Sequence, residues 1–230
     1  LALQWLGFLD QTEKLQFIRH GRYKHIVPDK KLMVIALNTN IAYLFNVWRL
    51  MYYPDADPDG QLAWLADALA LCDVDDLQAL IIGHHPPGER DLSAQWTRQF
   101  LNIIGRHSPR IMMMLFGHTH LDSFRVFNKE RLVSIVSPSM ATWTETPPCY
   151  RIVDVNGEIT SHETYMMDLE SGQWSSEYTF NCTRPLFECY DDYIQEIKSN
   201  DSVRNDFIKH YFKSSVVRIA NCTEKCQQKV

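Results

Sequence analysis

The feature that most constrains this chain is a pair of short apolar runs, each ending in glycine and histidine. Ala79-Leu80-Ile81-Ile82 leads into Gly83-His84-His85-Pro86, and Ile111-Met112-Met113-Met114-Leu115-Phe116 leads into Gly117-His118-Thr119-His120. A short apolar run bounded by turn formers reads as a buried strand. Strands buried on both faces belong to α/β sheets, which present their functional groups in the crevice at the C-terminal strand ends. Either turn alone is a weak signal, whereas two on successive core strands form a strong one.

The remaining pattern fits such a sheet. Lys31–Leu37 reads as a strand that stops at the polar Asn38-Thr39-Asn40. The stretch 53–60 is a loop whose carboxylates suit helix capping. Gln61–Leu71 carries Leu62, Leu65, Ala66 and Leu69 at helical spacing, and Leu92–Arg106 is the next helix, ended by Gly105 and Ser108-Pro109. From Ser123 onward the pattern becomes short alternating strands at 124–127, 132–136, 150–155 and 162–169, with a hairpin signal at Asn156-Gly157. Two amphipathic helices follow residue 180, one carrying Leu186, Tyr190 and Ile194 and the next Val203, Phe207 and Tyr211. Residues 1–27 read as helical from Leu1-Ala2-Leu3-Gln4-Trp5-Leu6 and then irregular. The fold class expected is α/β, mixed with α+β: a two-sheet sandwich flanked by helices over residues 1–180, with a small helical cap over 181–230.

With 230 residues, 45% of them hydrophobic, the chain can bury one sizeable core. A net charge of −5 without blocks of like charge argues against a nucleic-acid polymer as partner. No apolar run approaches the roughly 20 residues that a membrane helix needs. Six cysteines accompany three glycosylation sequons, at Asn181, Asn200 and Asn221, and together they point to an oxidising, secreted or lysosomal setting. Cys222 and Cys226 are the expected disulfide, since a turn-like C-x-x-x-C reaches bonding distance, with a zinc knuckle as the alternative. Cys182 with Cys189 is a second plausible pair, and Cys72 reads as buried. The chain starts at Leu1 in mid-helix pattern, without a charged-then-apolar signal segment, so it reads as a fragment or processed product.

Neutral imidazole is the commonest protein ligand for zinc. His118 and His120, two positions apart on an extended turn, would point in different directions and serve two neighbouring ions, with His84 adding a further ligand. Paired metals are the usual device for in-line displacement at phosphorus. The alternative is that these histidines only cap strands.

The G-H-x-P and G-H-x-H pair resembles the last two metal-binding motifs of the calcineurin-like metallophosphoesterases. Further segments resemble that family's acid sphingomyelinase branch: Ile81–Gly88, Phe116–Phe124, Ser137-Pro138-Ser139-Met140-Ala141-Thr142, His162-Glu163-Thr164-Tyr165, and Cys222–Cys226 as its C-terminal cysteine pair. The match runs over nearly the whole chain in order. It implies the C-terminal half of a metallophosphoesterase sandwich and a sphingomyelin phosphodiesterase with two zinc ions, yielding ceramide and phosphocholine. His84 and His118 match ligands of one zinc, and His120 a ligand of the other. It also implies a monomer that touches the membrane peripherally through an upstream part.

The upstream D-x-H, G-D and G-N-H-E/D segments of that family are not found here, so the chain alone is expected neither to hold two zincs tightly nor to turn over. Cysteines that the branch carries near Asn38-Thr39-Asn40 and after P-P-G are replaced by Ile41 and Glu89. His85 is a candidate for the missing leaving-group acid or a packing residue. Asp122 is a candidate second-layer carboxylate behind the zinc ligands, or a plain surface residue. Trp143 could wall the substrate cleft, where its face would suit a quaternary ammonium, or pack in the core. Asn38 and Asn40 could touch phosphate or cap a strand end. Two competing readings are a paralogue acting on nucleotides or other phosphodiesters, and a non-catalytic secreted glycoprotein with a degenerate site.

Overall fold

The computed structural model describes residues 9–51, 55–143, 145–156 and 159–222. The chain divides into two compact units, one running up to Phe116 with Phe127–Ser134 added, the other comprising Gly117–Val126 and the chain from Ile135 onward.

The first unit begins with α1 (Gln11–His20), held at its start by a capping box between Asp10 and Glu13 and stopped by Gly21 in the left-handed region. Then come β1 (Tyr23–Val27), β2 (Leu32–Ala36), α2 (Gln61–Val74), β3 (Gln78–Ile82), α3 (Ala94–Arg106) and β4 (Ile111–Phe116). β1 pairs antiparallel with β2, while β2, β3 and β4 run parallel. In β2 and β3 the side chains alternate, with Met33, Ile35, Ala79 and Ile81 fully buried. That face packs on Leu62, Leu65 and Leu69 of α2 and on Phe100 and Ile104 of α3. The carboxylates expected to cap α2 do so through Asp57, which accepts the Leu62 and Ala63 N–H groups.

β5 (Ser123–Phe127) and β6 (Leu132–Val136) carry the chain from one unit to the other and back. The second unit holds an antiparallel meander of β7 (Cys149–Asn156), β8 (Ile159–Met167) and β9 (Trp174–Cys182). It is followed by α4 (Leu186–Ser199), α5 (Asp201–Tyr211) and α6 (Val216–Ala220). Aromatic rings join these helices to the rest of the unit: Phe180 stacks on Tyr190 at 4.7 Å, Phe124 lies 4.5 Å from Tyr190, and Tyr193 meets Phe207 at 6.0 Å. The disulfide Cys182–Cys189 ties the end of β9 to α4, with Cα atoms 6.0 Å apart.

The expected mixed α/β architecture with two sheets and flanking helices is present. Three elements go beyond the sequence reading. β1 lies where irregular chain was expected, β9 lies where no strand was expected although Trp174, Tyr178, Phe180 and Cys182 alternate with polar residues, and α6 is only five residues long. The second long helix starts at Ala94 instead of Leu92, because the Ser93 hydroxyl takes the N-cap and Leu92 bridges to Tyr43. Asn156 pairs with Ile159 as a hairpin requires, although Gly157 itself lies outside the described residues. Leu1–Leu6, Tyr53-Pro54 and Cys226 also lie outside them, and with Cys226 the pair Cys222–Cys226. Cys182–Cys189 is formed, and Cys72 is buried as a free thiol. Among the described residues no helix is long and apolar enough to cross a membrane. Replacing Cys182 and Cys189 together by serine is expected to lower stability by about 2–3 kcal/mol through the loop entropy regained on unfolding, measured by urea denaturation.

Candidate functional site

The strand ends of the first unit lie in register. Ala36 pairs with Ile82 and Ile82 with Leu115, the Gly83 N–H donates to the Leu115 carbonyl at 3.0 Å, and the Leu37 N–H donates to Ile82 at 2.8 Å. The Asn38–Asn40 segment and the Gly83–Pro86 turn therefore begin from one edge of the sheet, and β4 ends at that edge one residue before Gly117. Gly83 is required there by close approach: a Cβ would sit 2.7 Å from the Phe116 ring and 3.0 Å from the Thr39 methyl.

Thr39 shapes the first histidine turn. Its buried hydroxyl accepts both the His84 N–H at 3.2 Å and the His85 N–H at 2.8 Å. This leaves His84 exposed and sends His85 inward. The His85 ring is buried, stacks on Tyr43 at 4.3 Å, and bonds through Nε2 to the Asn40 side-chain oxygen at 3.1 Å. Those contacts favour the packing alternative for His85 and account for Asn40. Asn38 donates its amide to the His20 carbonyl at 3.0 Å and exchanges backbone bonds with the Gln61 side chain, which is the strand-end alternative in atomic terms. Thr39, between two residues the sequence singled out, gave no signal of its own because a threonine at a strand end is unremarked in one sequence.

The second histidine turn belongs to the second unit. It is not extended: His118 and His120 both have left-handed backbone, φ 71° and 64°, around Thr119. Histidine tolerates this region better than most residues but still stores about 1–3 kcal/mol of strain, which persists only where the surroundings hold it. His120 Nδ1 is buried with no hydrogen-bond partner among the described residues, a state that suits a metal ligand and is costly otherwise. Trp143 is 72% exposed and sets its ring against His120 edge-on at 5.4 Å, so it is no core residue.

Asp122, two positions past His120, is no surface carboxylate either. It is buried and accepts from the Arg151 guanidinium and from the Tyr178 hydroxyl at 2.8 Å. Arg151 pairs across the meander with Thr164, and Thr164 with Tyr178, so the register alone sets these three in one row. Arg151 donates to both, to Thr164 Oγ1 at 2.9 Å and to the Tyr178 oxygen at 2.7 Å. The Asp122 N–H also donates to the Tyr211 carbonyl, so the segment after the histidines is bonded on both sides. Burial pushes the Tyr178 hydroxyl well above its ordinary range, and Asp122 adds to the shift. Lys213, fully buried, donates to the Ser139 carbonyl at 3.0 Å and so pins the turn that leads to Trp143. Burial lowers its pKa. Nothing in the sequence marks Arg151 or Lys213, since each lies far in sequence from the group it holds.

No protein-family model matches the chain. Among curated proteins it is 28% identical to sphingomyelin phosphodiesterase B of Dictyostelium discoideum, over 94% of this chain and 37% of that protein. It is 31% identical to the sphingomyelin phosphodiesterase of Homo sapiens, over 74% of this chain and 28% of that protein. The human acid sphingomyelinase-like phosphodiesterase 3b is 32% identical over 64% of this chain and 35% of its own length. The chain thus spans about a third of the length of these relatives. The crystal structure of a Vps29 double mutant from Entamoeba histolytica aligns with a TM-score of 0.29 at 12% identity, over 46% of this chain and 70% of that one, too slight a likeness to carry an argument. By sequence, then, the chain is a relative of phosphodiesterases. Within them its relatives are those of the acid-sphingomyelinase-like branch.

Two outcomes test this geometry. Replacing His118 by glycine is expected to leave stability unchanged or raise it by up to about 1 kcal/mol, because strain is relieved, while alanine brings no such gain; urea denaturation of both variants decides. His162 is buried, bonds Tyr190 at 3.1 Å, and has its pKa pushed down to about 2, by burial first and Arg151 second. A histidine neutral in the fold takes up a proton on unfolding below pH about 6.5. Stability should therefore fall by up to about 1.4 kcal/mol per pH unit beneath that value, and His162→Gln should flatten the decline. Parallel curves for wild type and variant would contradict the assignment.

Proposed function

We propose that this chain forms part of a metal-dependent phosphodiester hydrolase that converts sphingomyelin to ceramide and phosphocholine, with two zinc ions in the complete protein. The observation that carries the reading is the left-handed His118-Thr119-His120 turn with its orphaned, buried His120 Nδ1, on a chain whose relatives are named sphingomyelin phosphodiesterases. His84 and His118 would be ligands of one zinc and His120 of the other. Zinc held there would lower the pKa of the attacking water and stabilise charge developing on the phosphoryl oxygens.

The other residues have supporting roles. The Thr39 hydroxyl keeps His84 outside the core and His85 within it. The Asp122–Arg151–Tyr178 network fixes the backbone just past His120, so the imidazoles need not reorganise when loaded. Trp143, exposed beside His120, presents a face suited to a trimethylammonium group such as choline. Asn181, Asn200 and Asn221 are all exposed, as glycan acceptors must be, and with the Cys182–Cys189 bond they support a secreted or lysosomal glycoprotein. Residues 181–230 would form a C-terminal subdomain of it.

The test uses the protein with its natural flanking sequence. Elemental analysis is expected to find about two zinc ions per chain. His118→Ala and His120→Ala are each expected to lose metal and at least about a thousandfold in sphingomyelin hydrolysis, while the circular dichroism spectrum stays native. Wild-type turnover in either variant would remove the basis of the assignment, and hydrolysis of nucleotide diesters in place of sphingomyelin would redirect the substrate.

A further inference from the structure

We propose that the aromatic-walled cavity of the second unit, between the meander and α4 and α5, binds a small organic cation, an ammonium group carrying methyl or hydroxyethyl arms. The cavity holds about 330 Å³, at the small end of the range for ligand sites. Its lining includes the rings of Phe124, Tyr178, Phe180, Tyr193, Phe207 and His210. An interior normally closes tightly on such rings, so a space left among them needs an account.

The rings present their faces in different directions. Phe124, Phe180 and Phe207 each lie 6.0 Å from Tyr193, inclined to it by 37°, 57° and 85°. The Tyr178 ring stacks on His210 at 4.1 Å. An aromatic face carries negative potential, and rings set at several angles round one space attract a cation that has shed its water. His162 lines the same space and is 3% exposed, and its Nδ1 has no hydrogen-bond partner among the described residues. A buried nitrogen in this state is costly, and a ligand hydroxyl, able to donate or to accept, would satisfy it in either tautomer.

Charge decides between a cation and a neutral apolar guest. The lining holds three carboxylates, Asp122, Glu196 and Asp206, against one guanidinium, Arg151. Arg151 is bonded to Asp122, so that pair adds no net charge. Glu196 of α4 and Asp206 of α5 are exposed and form no ion pair among the described residues, which puts two negative charges at the outer side of the cavity. Their field reaches the rings: the Tyr193 hydroxyl is pushed up to about 12, by burial first and then by Asp122, Asp206 and Glu196. Burial holds His162 and His210 below the ordinary histidine pKa, so neither adds a positive charge at neutral pH. An anion would be repelled here, and a neutral guest would leave both outer carboxylates without a partner.

This inference does not need the catalytic reading. Choline, tetramethylammonium and 3,3-dimethylbutan-1-ol, the uncharged isostere of choline, are titrated by calorimetry into the protein with its natural flanking sequence. Wild type is expected to bind choline with a dissociation constant on the order of 0.1 mM, tetramethylammonium about threefold more weakly for want of the hydroxyl, and the isostere at least about tenfold more weakly. A Glu196→Gln, Asp206→Asn double variant should lose about tenfold in affinity for choline, and Tyr193→Leu a similar factor. Both carboxylates are exposed, so the double variant keeps the fold, which circular dichroism checks. Val203→Phe, which fills the space from α5, should abolish binding. Absence of binding by wild type, equal affinity for choline and its isostere, or variants that bind as wild type would each overturn the proposal. So would binding that Trp143→Ala removes and the carboxylate variant keeps, since that places the cation at Trp143. Cation binding by a protein that hydrolyses no phosphodiester would leave the proposal standing and count against the catalytic reading alone.

Discussion

The parallel pairing of β2, β3 and β4, with their C-terminal ends in register, is the constraint on which the rest of the first unit depends. It is held by a buried layer of Met33, Ile35, Ala79, Ile81 and Met114 under α2 and α3. A parallel sheet cannot slip one residue without turning this layer outward, so the register is strongly specified. Given that register, Asn38, Gly83 and Gly117 follow strands that stop together. The Gly83 position shows how tight the edge is, since even a methyl group would meet Phe116 and Thr39.

In the second unit the corresponding role falls to a buried charge. Arg151 lies on β7, an outer strand of the antiparallel meander, and is bonded to Asp122, Thr164 and Tyr178. A buried ion pair of this kind is weak as a source of stability, because desolvation offsets most of its attraction. Its value is geometric: losing either partner would leave an uncompensated buried charge, so the segment carrying His118 and His120 has one arrangement. The strained φ angles of those two histidines are sustained by such bonding, and strain of this sort gathers at functional positions.

Much of the frame was legible in the residues. Short apolar runs bounded by polar or turn-forming residues marked β2, β3 and β4, helical spacing marked α2 and α3, and the glycine–histidine turns marked the strand ends. Cys182 and Cys189 were close enough in sequence to be considered a pair. β1 was not legible, because Tyr23–Val27 mixes polar and apolar residues without a clear period, and pairing with β2 supplies what local preference does not; β9 was legible in the alternation of Trp174, Tyr178, Phe180 and Cys182 with polar residues, but no strand was assigned there. The left-handed backbone at His118 and His120 was hidden for a related reason: no glycine stands there to announce it.

By itself the sequence determined which chemistry is available, namely imidazoles on turns after core strands, together with relatives that cleave a phosphodiester. It also determined the class of fold, since hydrophobic periodicity is a local property. Tertiary structure alone decided the fate of each polar group, for burial and hydrogen bonding depend on residues distant in the chain. It placed His85 against Tyr43 and Asn40, and it put Asp122 in the interior opposite Arg151. It left Trp143 in the open beside His120, and it left Phe45, Val47 and Trp48 exposed.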